Sequence, residues 1–437
     1  MRDSGLHGRD AGLATELAYG TLRGQGSYDA VLAVCSDRPL TALDDAVLDA
    51  LRLGAHQVMG MGMPAHAAVT TTVDLVRETS GQGAARFANA IMRRMTEREA
   101  SGWIASVAPD EKTDPDGYLA VMHSHPEWIV RALRDGLRLT GRSADDLPAV
   151  LAANNLRPAV IAAALPGLVS RPELEGAGPG RFSPYAVVLQ GAPDAVRAVR
   201  EGRARIQDEG SQLVALALAC APLERPDAGQ WLDLCAGPGG KAALLGAVLA
   251  SRQADGELAG AAGLVAAEIS EHRAELVRRA LQPVPVPAAV RVADGRFAGR
   301  DEPGRYDRVL VDAPCTGLGA LRRRPEARWR RTPSDLATLA PLQRSLLEAA
   351  IDAVRPGGVV AYATCSPHPA ETRMVVDDVL RSRARAGAAT AERLDASVVL
   401  AGIAGDESAF GAGPDVQLWT DLHGTDAMYI SLLRRAG

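Results

Sequence analysis

Trp231-Leu-Asp-Leu-Cys235-Ala-Gly-Pro-Gly-Gly-Lys241 joins a short apolar run to a glycine-rich turn, and a helical pattern follows over 241–250. Strand, tight loop and helix in that order make the first unit of an α/β sheet that takes a ligand at the helix N-terminus. Glycines at 237, 239 and 240 let the backbone turn sharply and come close to that ligand. The first N–H groups of the helix lack partners and carry partial positive charge, which suits an anion. Lys241 adds a formal charge at the mouth, and the only other lysine is Lys112. A phosphate-binding P-loop needs Gly at 235 and Ser or Thr at 242, where this chain has Cys and Ala. The dinucleotide pattern G-x-G-x-x-[GA] is met by Gly237, Gly239 and Ala242, and Glu268 at the next strand end suits ribose hydroxyls. Alone, the loop admits NAD or another adenosyl ligand.

Outward from this unit the rhythm after Gln207 stays strand, loop, helix. Strands are expected at 231–234, 263–268, 290–292, 307–312 and 358–363, with helices at 241–250, 270–281 and 335–354. That alternation predicts a parallel sheet with helices on both faces. Segments 416–420 and 427–433 are expected to close it as an antiparallel pair, and 381–391 reads as a solvated helix end or loop. Within an expected helical domain over 1–98, residues 10–98 carry helical periodicity, as in Leu13, Leu17, Leu22 and in Val47, Leu48, Leu51, Val58. Two further helices are expected at 66–79 and 83–95. Residues 99–116 lose the period and read as a linker; 117–206, with a helix at 127–139 and apolar runs at 159–165 and 185–189, reads as a small α/β connector. The expected fold is therefore multidomain: an all-α bundle, the connector, and an α/β Rossmann-like domain over 207–437.

A chain of 437 residues has room for two or three domains. With 47% hydrophobic and 23% charged residues it is neither a disordered nor a collagen-like chain. The net charge of −5 means that any nucleic-acid surface is a local patch. Five cysteines, widely spaced and without C-x-x-C, exclude a zinc or disulfide framework, and the eight histidines do not cluster with them, so no metal is expected. Cys35 and Cys220 lie in apolar helical patterns and are expected to be buried. Residues 1–7 lack the apolar core of a signal peptide, and no run of about 20 apolar residues suggests a membrane span. A cytoplasmic protein is expected.

Tyr306-Asp-Arg-Val-Leu-Val-Asp312-Ala-Pro-Cys315-Thr-Gly317 puts an acid and a thiol after one strand, and Val359-Val-Ala-Tyr-Ala-Thr-Cys365-Ser-Pro367 puts a thiol after a later one. In an open α/β sheet those strand ends border the ligand crevice. A dehydrogenase has no obvious need for two thiols there. A pyrimidine methyltransferase does, because C5 of cytosine is a poor nucleophile until a thiolate adds at C6 and makes C5 enamine-like. A base must then remove the C5 proton before the thiol can leave. Cysteine suits the attack, being strongly nucleophilic and appreciably ionised near neutrality.

The segments Cys235–Lys241, Asp312-Ala-Pro-Cys-Thr-Gly317 and Ala363-Thr-Cys-Ser-Pro367 closely resemble the motifs of RNA cytosine-5 methyltransferases that use S-adenosylmethionine. Gln207-Asp-Glu-Gly-Ser-Gln212 and Asp294-Gly-Arg296 are similar to further signatures of that family. Ala14-Thr-Glu-Leu-Ala-Tyr-Gly-Thr-Leu-Arg23, Leu51-Arg-Leu-Gly-Ala-His-Gln57, Pro64-Ala-His-Ala-Ala-Val69 and Asn89-Ala-Ile-Met-Arg-Arg94 resemble the NusB-like RNA-binding domain of the bacterial 16S rRNA enzymes of the Sun/Fmu or RsmB type. By this resemblance, which spans essentially the whole chain, Cys235, Ala236, Gly237, Pro238, Gly239, Gly240 and Lys241 would bind the cofactor together with Glu268, Asp294 and Asp312. Cys365 would attack C6, Cys315 would assist breakdown of the adduct, and Asp312 would also help hold the base. The implied substrate is 16S rRNA, naked or in an early small-subunit assembly, at the cytosine of position 967, and the implied state is a monomer. Two departures stand out. The stretch around 253–262 is longer than usual and is expected as a surface insertion; the family's extra helix before 9–22 is not expected here, because this chain starts too late to contain it.

Immediately after the Cys315 loop come Arg322, Arg323, Arg324, Arg328, Trp329, Arg330 and Arg331. Six cations within ten residues suit phosphates, and the Trp suits packing or stacking, so the segment is expected to contact RNA. Two other readings stay open on the residues alone: a nicotinamide oxidoreductase using Gly237 and Gly239, and an RNA-binding module with a vestigial catalytic half.

Overall fold

The computed structural model describes residues 5–6, 8–174 and 178–437, so part of the N-terminal stretch read above lies outside the described residues. The chain forms two compact units, one of Met1–Leu156 with Leu321–Arg331 and one of Arg157–Ala320 with Thr332–Gly437.

The first unit is helical. Gly8–Cys35, Asp45–Ala55 and Ala65–Met95 bring Val31, Leu32, Val47, Leu51, Val76, Ile91, Met92 and Met95 into one apolar core. The last of these helices contains the expected break, at Gly81 with φ +85°. The segment expected as a linker instead carries a helix, Ala100–Val107, because Trp103 is buried and its indole N–H donates to Met95 O at 2.8 Å. An indole that can bury its ring and satisfy its N–H stabilises an otherwise weak helical segment. Helices Pro115–His123, Glu127–Leu139 and Leu147–Ala153 also belong here rather than to the connector.

Segment Leu321–Arg331 completes this unit. Arg328 is fully buried, and its guanidinium donates to Arg23 O and Ser124 O, both at 3.1 Å, to Asn155 Oδ1 at 2.6 Å and to Asn154 O at 2.7 Å. Ser124 and Asn154 are the C-caps of Pro115–His123 and Leu147–Ala153, so the buried cation sits at two helix C-termini, where partial negative charge and spare carbonyls converge. Burial, with Arg23 nearby, pulls its pKa below the usual arginine range. The neighbouring Trp329 indole N–H donates to Leu22 O at 2.7 Å. Replacing Arg328 by Met should lower the unfolding free energy by about 2–4 kcal/mol, because it strips donors from buried carbonyls. Arg328→Lys should restore little, since one ammonium cannot span four acceptors. Urea unfolding followed by tryptophan fluorescence reads both, and an unchanged midpoint in Arg328→Met would contradict this role.

In the second unit β1 (Ile161–Ala164), β2 (Gly178–Pro179), β3 (Ala186–Val188) and β4 (Ala204–Ile206) form a small antiparallel sheet in the order β2-β3-β1-β4. The larger sheet is built from β5 (Gln230–Asp233), β6 (Gly263–Glu268), β7 (Ala288–Val292), β8 (Tyr306–Asp312) and β9 (Val354–Thr364), with β10 (Ala391–Leu394), β11 (Asp415–Gln417) and β12 (Tyr429–Arg435). Its order is β10-β12-β9-β8-β5-β6-β7, with β11 beside β12. Strands β5 to β9 are parallel; β12 runs antiparallel to β9, β10 and β11, which realises the expected closing pair. Segment 381–391 is the exposed end of the helix Arg373–Ala386 and a loop, as expected, and β10 begins at its last residue.

Residues of β8 and β9 alternate between two cores. Leu310, Val359, Ala361 and Ala363 pack with helices Glu209–Cys220 and Gly240–Ala254 on one face. Val309, Val311, Val360 and Tyr362 pack with Ser334–Ala353 and Arg373–Ala386 on the other. Burial on both faces explains why these strands read as unbroken apolar runs.

Candidate active site

Parallel strands end on the same edge, so β5 to β9 deliver their following loops together. The register pairs Asp312 with Ala363, and Ala313 N–H donates to Ala363 O at 2.9 Å beyond the ladder. The next residues of each strand then run side by side. Cys315 Sγ lies 3.3 Å from Cys365 Sγ, and both side chains are half-buried free thiols. The Cys315 thiol is pushed well up, first by its hydrogen bond with Cys365, then by burial and by the charges of Cys365, Glu371 and Asp312. These causes favour the protonated form of Cys315. Cys220 differs from expectation: it is exposed at the end of its helix, whereas Cys35 is buried.

Beside the thiols, the loop after β5 is held by the end of β6. Glu268, buried, accepts from Gly237 N–H at 3.1 Å and Ser270 N–H at 3.0 Å, and Arg273 ties the loop by donating to Gly237 O at 2.6 Å. A Cβ on Gly237 would stand 2.2 Å from Glu268 Oε2, and Gly239, at φ +102°, meets Ala280 Cβ at 2.5 Å. Gly239 therefore requires glycine, while a side chain at Gly237 would push the Glu268 carboxylate and the Arg273 guanidinium out of the bonds that hold the loop. Gly239 leads into the helix Gly240–Ala254, whose N-terminus faces this edge of the sheet. Asp294 follows β7; its carboxylate is held by Arg296, which keeps it below the usual carboxylate range, and the preceding Ala293 N–H donates to Glu268 O.

Lys241 and Asp312, read separately in the sequence, form an ion pair at 2.7 Å, and Lys241 also donates to Ser211 Oγ at 3.2 Å. Burial works against charge on Lys241, but Asp312 outweighs it and the pKa ends raised; a charge on Cys365 acts in the same sense. Asp233, at the end of β5, is the acid that no motif reading singled out. It is 1% exposed, its Oδ2 has no hydrogen-bond partner, and its pKa is pushed up to about 7 by burial and then by Asp312.

Sequence reading also missed what grips Cys315. Buried Glu371 accepts from Thr316 N–H at 2.8 Å and from Thr316 Oγ1, while buried Gln343 donates to Pro314 O at 2.8 Å and to Glu371 Oε1 at 3.2 Å. Glu371 lies six residues past Cys365 in the turn that follows β9, a position that periodicity does not mark. The arginine segment divides. Arg324 and Arg330 are exposed, Arg323, Trp329 and Arg331 are half-buried, and Arg322 is buried. Arg328 corrects the expectation of a phosphate contact, since its guanidinium is enclosed and spent on helix ends. Among the described residues no His, Cys, Asp and Glu cluster is arranged to hold a metal, and no helix is long and apolar enough to cross a membrane.

With this geometry in place, the chain can be set against known proteins. The family profile described as "16S rRNA methyltransferase RsmB/F" matches residues 220–434, and the NusB family profile matches 1–97. A Mycobacterium tuberculosis protein carrying a methyltransferase name is 49% identical over 439 residues, covering 100% of this chain and 91% of that protein. The "Ribosomal RNA small subunit methyltransferase B" of Pseudomonas putida is 32% identical over 381 residues, covering 84% of this chain and 80% of its own. The chain belongs to the RsmB/F family. The crystal structure of PH0851 matches the fold with a TM-score of 0.75 at 20% identity, over 99% of this chain and 92% of that one. Family membership places the chain among S-adenosylmethionine-dependent rRNA methyltransferases, with a NusB-type helical domain and a Rossmann-like sheet.

The buried acid of this RsmB/F site has a thermodynamic signature. An unfolded Asp titrates near ~3.9, so between about pH 4 and the folded value near 7 the native state holds a proton that the unfolded chain has released. Stability tied to Asp233 is thus present at low pH and lost as pH rises through that window. Asp233→Asn should leave the melting temperature near that of the parent at pH 4.5 and raise it at pH 8. Parallel melting curves across that range would remove the assignment.

Proposed function

We propose that this chain transfers a methyl group from S-adenosylmethionine to C5 of a cytosine in 16S rRNA, through a covalent bond between Cys365 and C6. The observation that carries the reading is the pair of sulfurs 3.3 Å apart at the ends of adjacent parallel strands, beside a nucleoside-binding loop.

The residues present fit the cofactor. Glu268 keeps spare lone pairs for ribose hydroxyls after accepting Gly237 and Ser270, since each carboxylate oxygen accepts more than one bond. Asp294 follows the adjacent strand. The helix N-terminus at Gly240 offers N–H groups to a carboxylate, and Lys241 adds a cation. Gln207 is buried with neither its amide oxygen nor its nitrogen partnered, and its side chain passes within 3.7 Å of where a Gly240 Cβ would stand. An orphaned amide beside a helix N-terminus fits the polar end of a ligand. When bound, S-adenosylmethionine supplies an electrophilic methyl group on a sulfonium.

The protein's own share of the chemistry follows from the thiols. Cys365 adds as thiolate to C6, assisted by the hydrogen bond from Cys315 and by the charge of Lys241. Addition makes C5 nucleophilic. After methylation the C5–H bond breaks, its electron pair restores the C5–C6 double bond, and the C6–S bond breaks. Cys315 passes its proton to the departing sulfur and takes the C5 proton in exchange, ending as it began; Cys365 then gives one proton to solvent to return to thiolate, the proton that methyl transfer from a sulfonium to a C–H carbon must release. The Lys241–Asp312 pair borders this chemistry, and Asp312 suits the donors of the cytosine edge. Reaching a stacked base costs about a few kcal/mol, less where the target is single-stranded. The exposed Arg324 and Arg330 suit the RNA backbone.

Cys365→Ala should abolish transfer to unmodified RNA while leaving S-adenosylmethionine binding by calorimetry nearly unchanged; appreciable turnover would refute its nucleophilic role. Cys315→Ala should allow the adduct to form without resolving, so a protein–RNA species survives a denaturing gel. NAD should not bind, and bisulfite sequencing of rRNA from a deletion strain should show one lost 5-methylcytosine.

A further inference from the structure

Cys315 sits on the first residues of a loop, where a side chain is ordinarily free to drift, yet both of its peptide neighbours are fixed by buried side chains. On one side Gln343 Nε2 holds Pro314 O; on the other Glu371 holds Thr316 through its N–H and its hydroxyl. The two clamps are joined to each other, Gln343 donating to Glu371 Oε1 at 3.2 Å. Glu371 and Gln343 are both 0% exposed, so neither can be a general surface contact. Glu371 is itself fixed, since its backbone carbonyl accepts from the Tyr362 hydroxyl at 2.8 Å. Tyr362 belongs to β9, which also leads to Cys365. Cys365, by contrast, is placed by the end of β9 and by its own carbonyl, which accepts from Gly319 N–H at 2.8 Å.

We infer that Glu371, with Gln343, is a positioning residue for Cys315, needed for release of the covalent adduct and not for its formation. The inference rests on the two-thiol reading above. A buried carboxylate with no cation among these partners is costly unless its acceptors are filled, and here N–H and O–H donors of the Cys315 loop fill them. Its charge also disfavours a thiolate on Cys315, which keeps that sulfur a proton donor toward Cys365. Removing the carboxylate frees the 314–316 segment, and the proton exchange between the sulfurs and C5 loses its alignment. Attack by Cys365 depends on its own strand end, on the Gly319 N–H that holds its carbonyl and on the base, none of which the Glu371 side chain touches. Misplacement by about 1 Å costs on the order of 10²-fold in an oriented reaction.

The experiment uses the full chain, an unmodified 16S rRNA transcript and S-adenosylmethionine. Glu371→Gln keeps the size but removes the charge and one acceptor, so the Thr316 hydroxyl must turn round to accept and Gln343 and Thr316 N–H are left to share one oxygen. It should slow multiple turnover by on the order of 10- to 100-fold, incorporate about one methyl per enzyme in a burst, and accumulate the gel-stable protein–RNA species. Thr316→Val, which removes the hydroxyl bond to Glu371 and a 3.4 Å contact with Ser366 Oγ but keeps the N–H bond, should do the same to a smaller degree. Gln343→Met should also accumulate the species, and these two variants decide the matter if Glu371→Gln does not fold. Normal turnover without the trapped species in folded variants overturns the inference. Loss of the burst itself does too, because a general structural defect would impair attack and release alike. Cys315→Ala run alongside separates the two ideas: if it traps no adduct, the two-thiol reading fails; if it traps and the clamp variants do not, only the clamp fails.

Discussion

The parallel register of β8 against β9 is the constraint on which the rest of the site depends. With Asp312 opposite Ala363, the strands end level, and the loops that follow carry their sulfurs to 3.3 Å. A slip of one residue would turn each side chain to the opposite face of the sheet. Register is held by burial on both faces, where Leu310 and Ala361 enter one core while Val311 and Tyr362 enter the other. The chemistry of the edge is therefore secured by apolar packing well inside the sheet, and the polar groups at the strand ends refine a position that the core has already set.

Electrostatics form the second layer. Asp233, Glu268 and Asp312 converge on a region whose cations are Lys241 and Arg273, and burial makes three acids beside two cations unfavourable. The structure resolves this unevenly. Asp312 takes Lys241, Glu268 takes two backbone N–H groups and Arg273, and Asp233 is left largely unpartnered with its proton retained to about pH 7. A site that crowds acids in this way gives up stability for function. The loop it encloses is correspondingly tight, since Gly237 and Gly239 leave no room for a β-carbon.

The methyltransferase sheet was largely legible in the sequence because its signals are local. Apolar runs at 231–234, 263–268 and 307–312 and the turn at 235–241 each sit within a few residues, and each returned as the expected element. The pairing of the two thiols was legible too, because strand ends in a parallel sheet share an edge. What did not show was whatever depends on distant partners. Glu371 and Gln343 lie 55 and 29 residues from the atoms they hold, in a turn and a long helix with no distinguishing pattern. Ala100–Val107 was misread because Gly102, two serines and the β-branched Ile104 and Val107 offset the helical preference of its alanines, and the seat of Trp103 under Met95 O makes up the difference.

The arginine segment shows where composition misleads. Clustered cations suggest phosphates, because a guanidinium in water is most simply read as waiting for an anion. Arg328 instead finds partners 173 to 305 residues away: the helix-end carbonyls of Ser124 and Asn154, the Asn155 side chain and the Arg23 carbonyl. A helix C-terminus is a weak anion, and two of them with an Asn side chain can hold a cation without a carboxylate. The planar fork makes this possible, since its several N–H groups reach acceptors in different directions from one rigid plane. The segment thus serves two purposes set by alternate residues: Arg328 and Trp329 anchor it inside the helical unit, and that anchoring fixes the backbone from which Arg324 and Arg330 extend into solvent. The charge of Arg324 and Arg330 is then carried by an anchored segment and not by a loose basic loop.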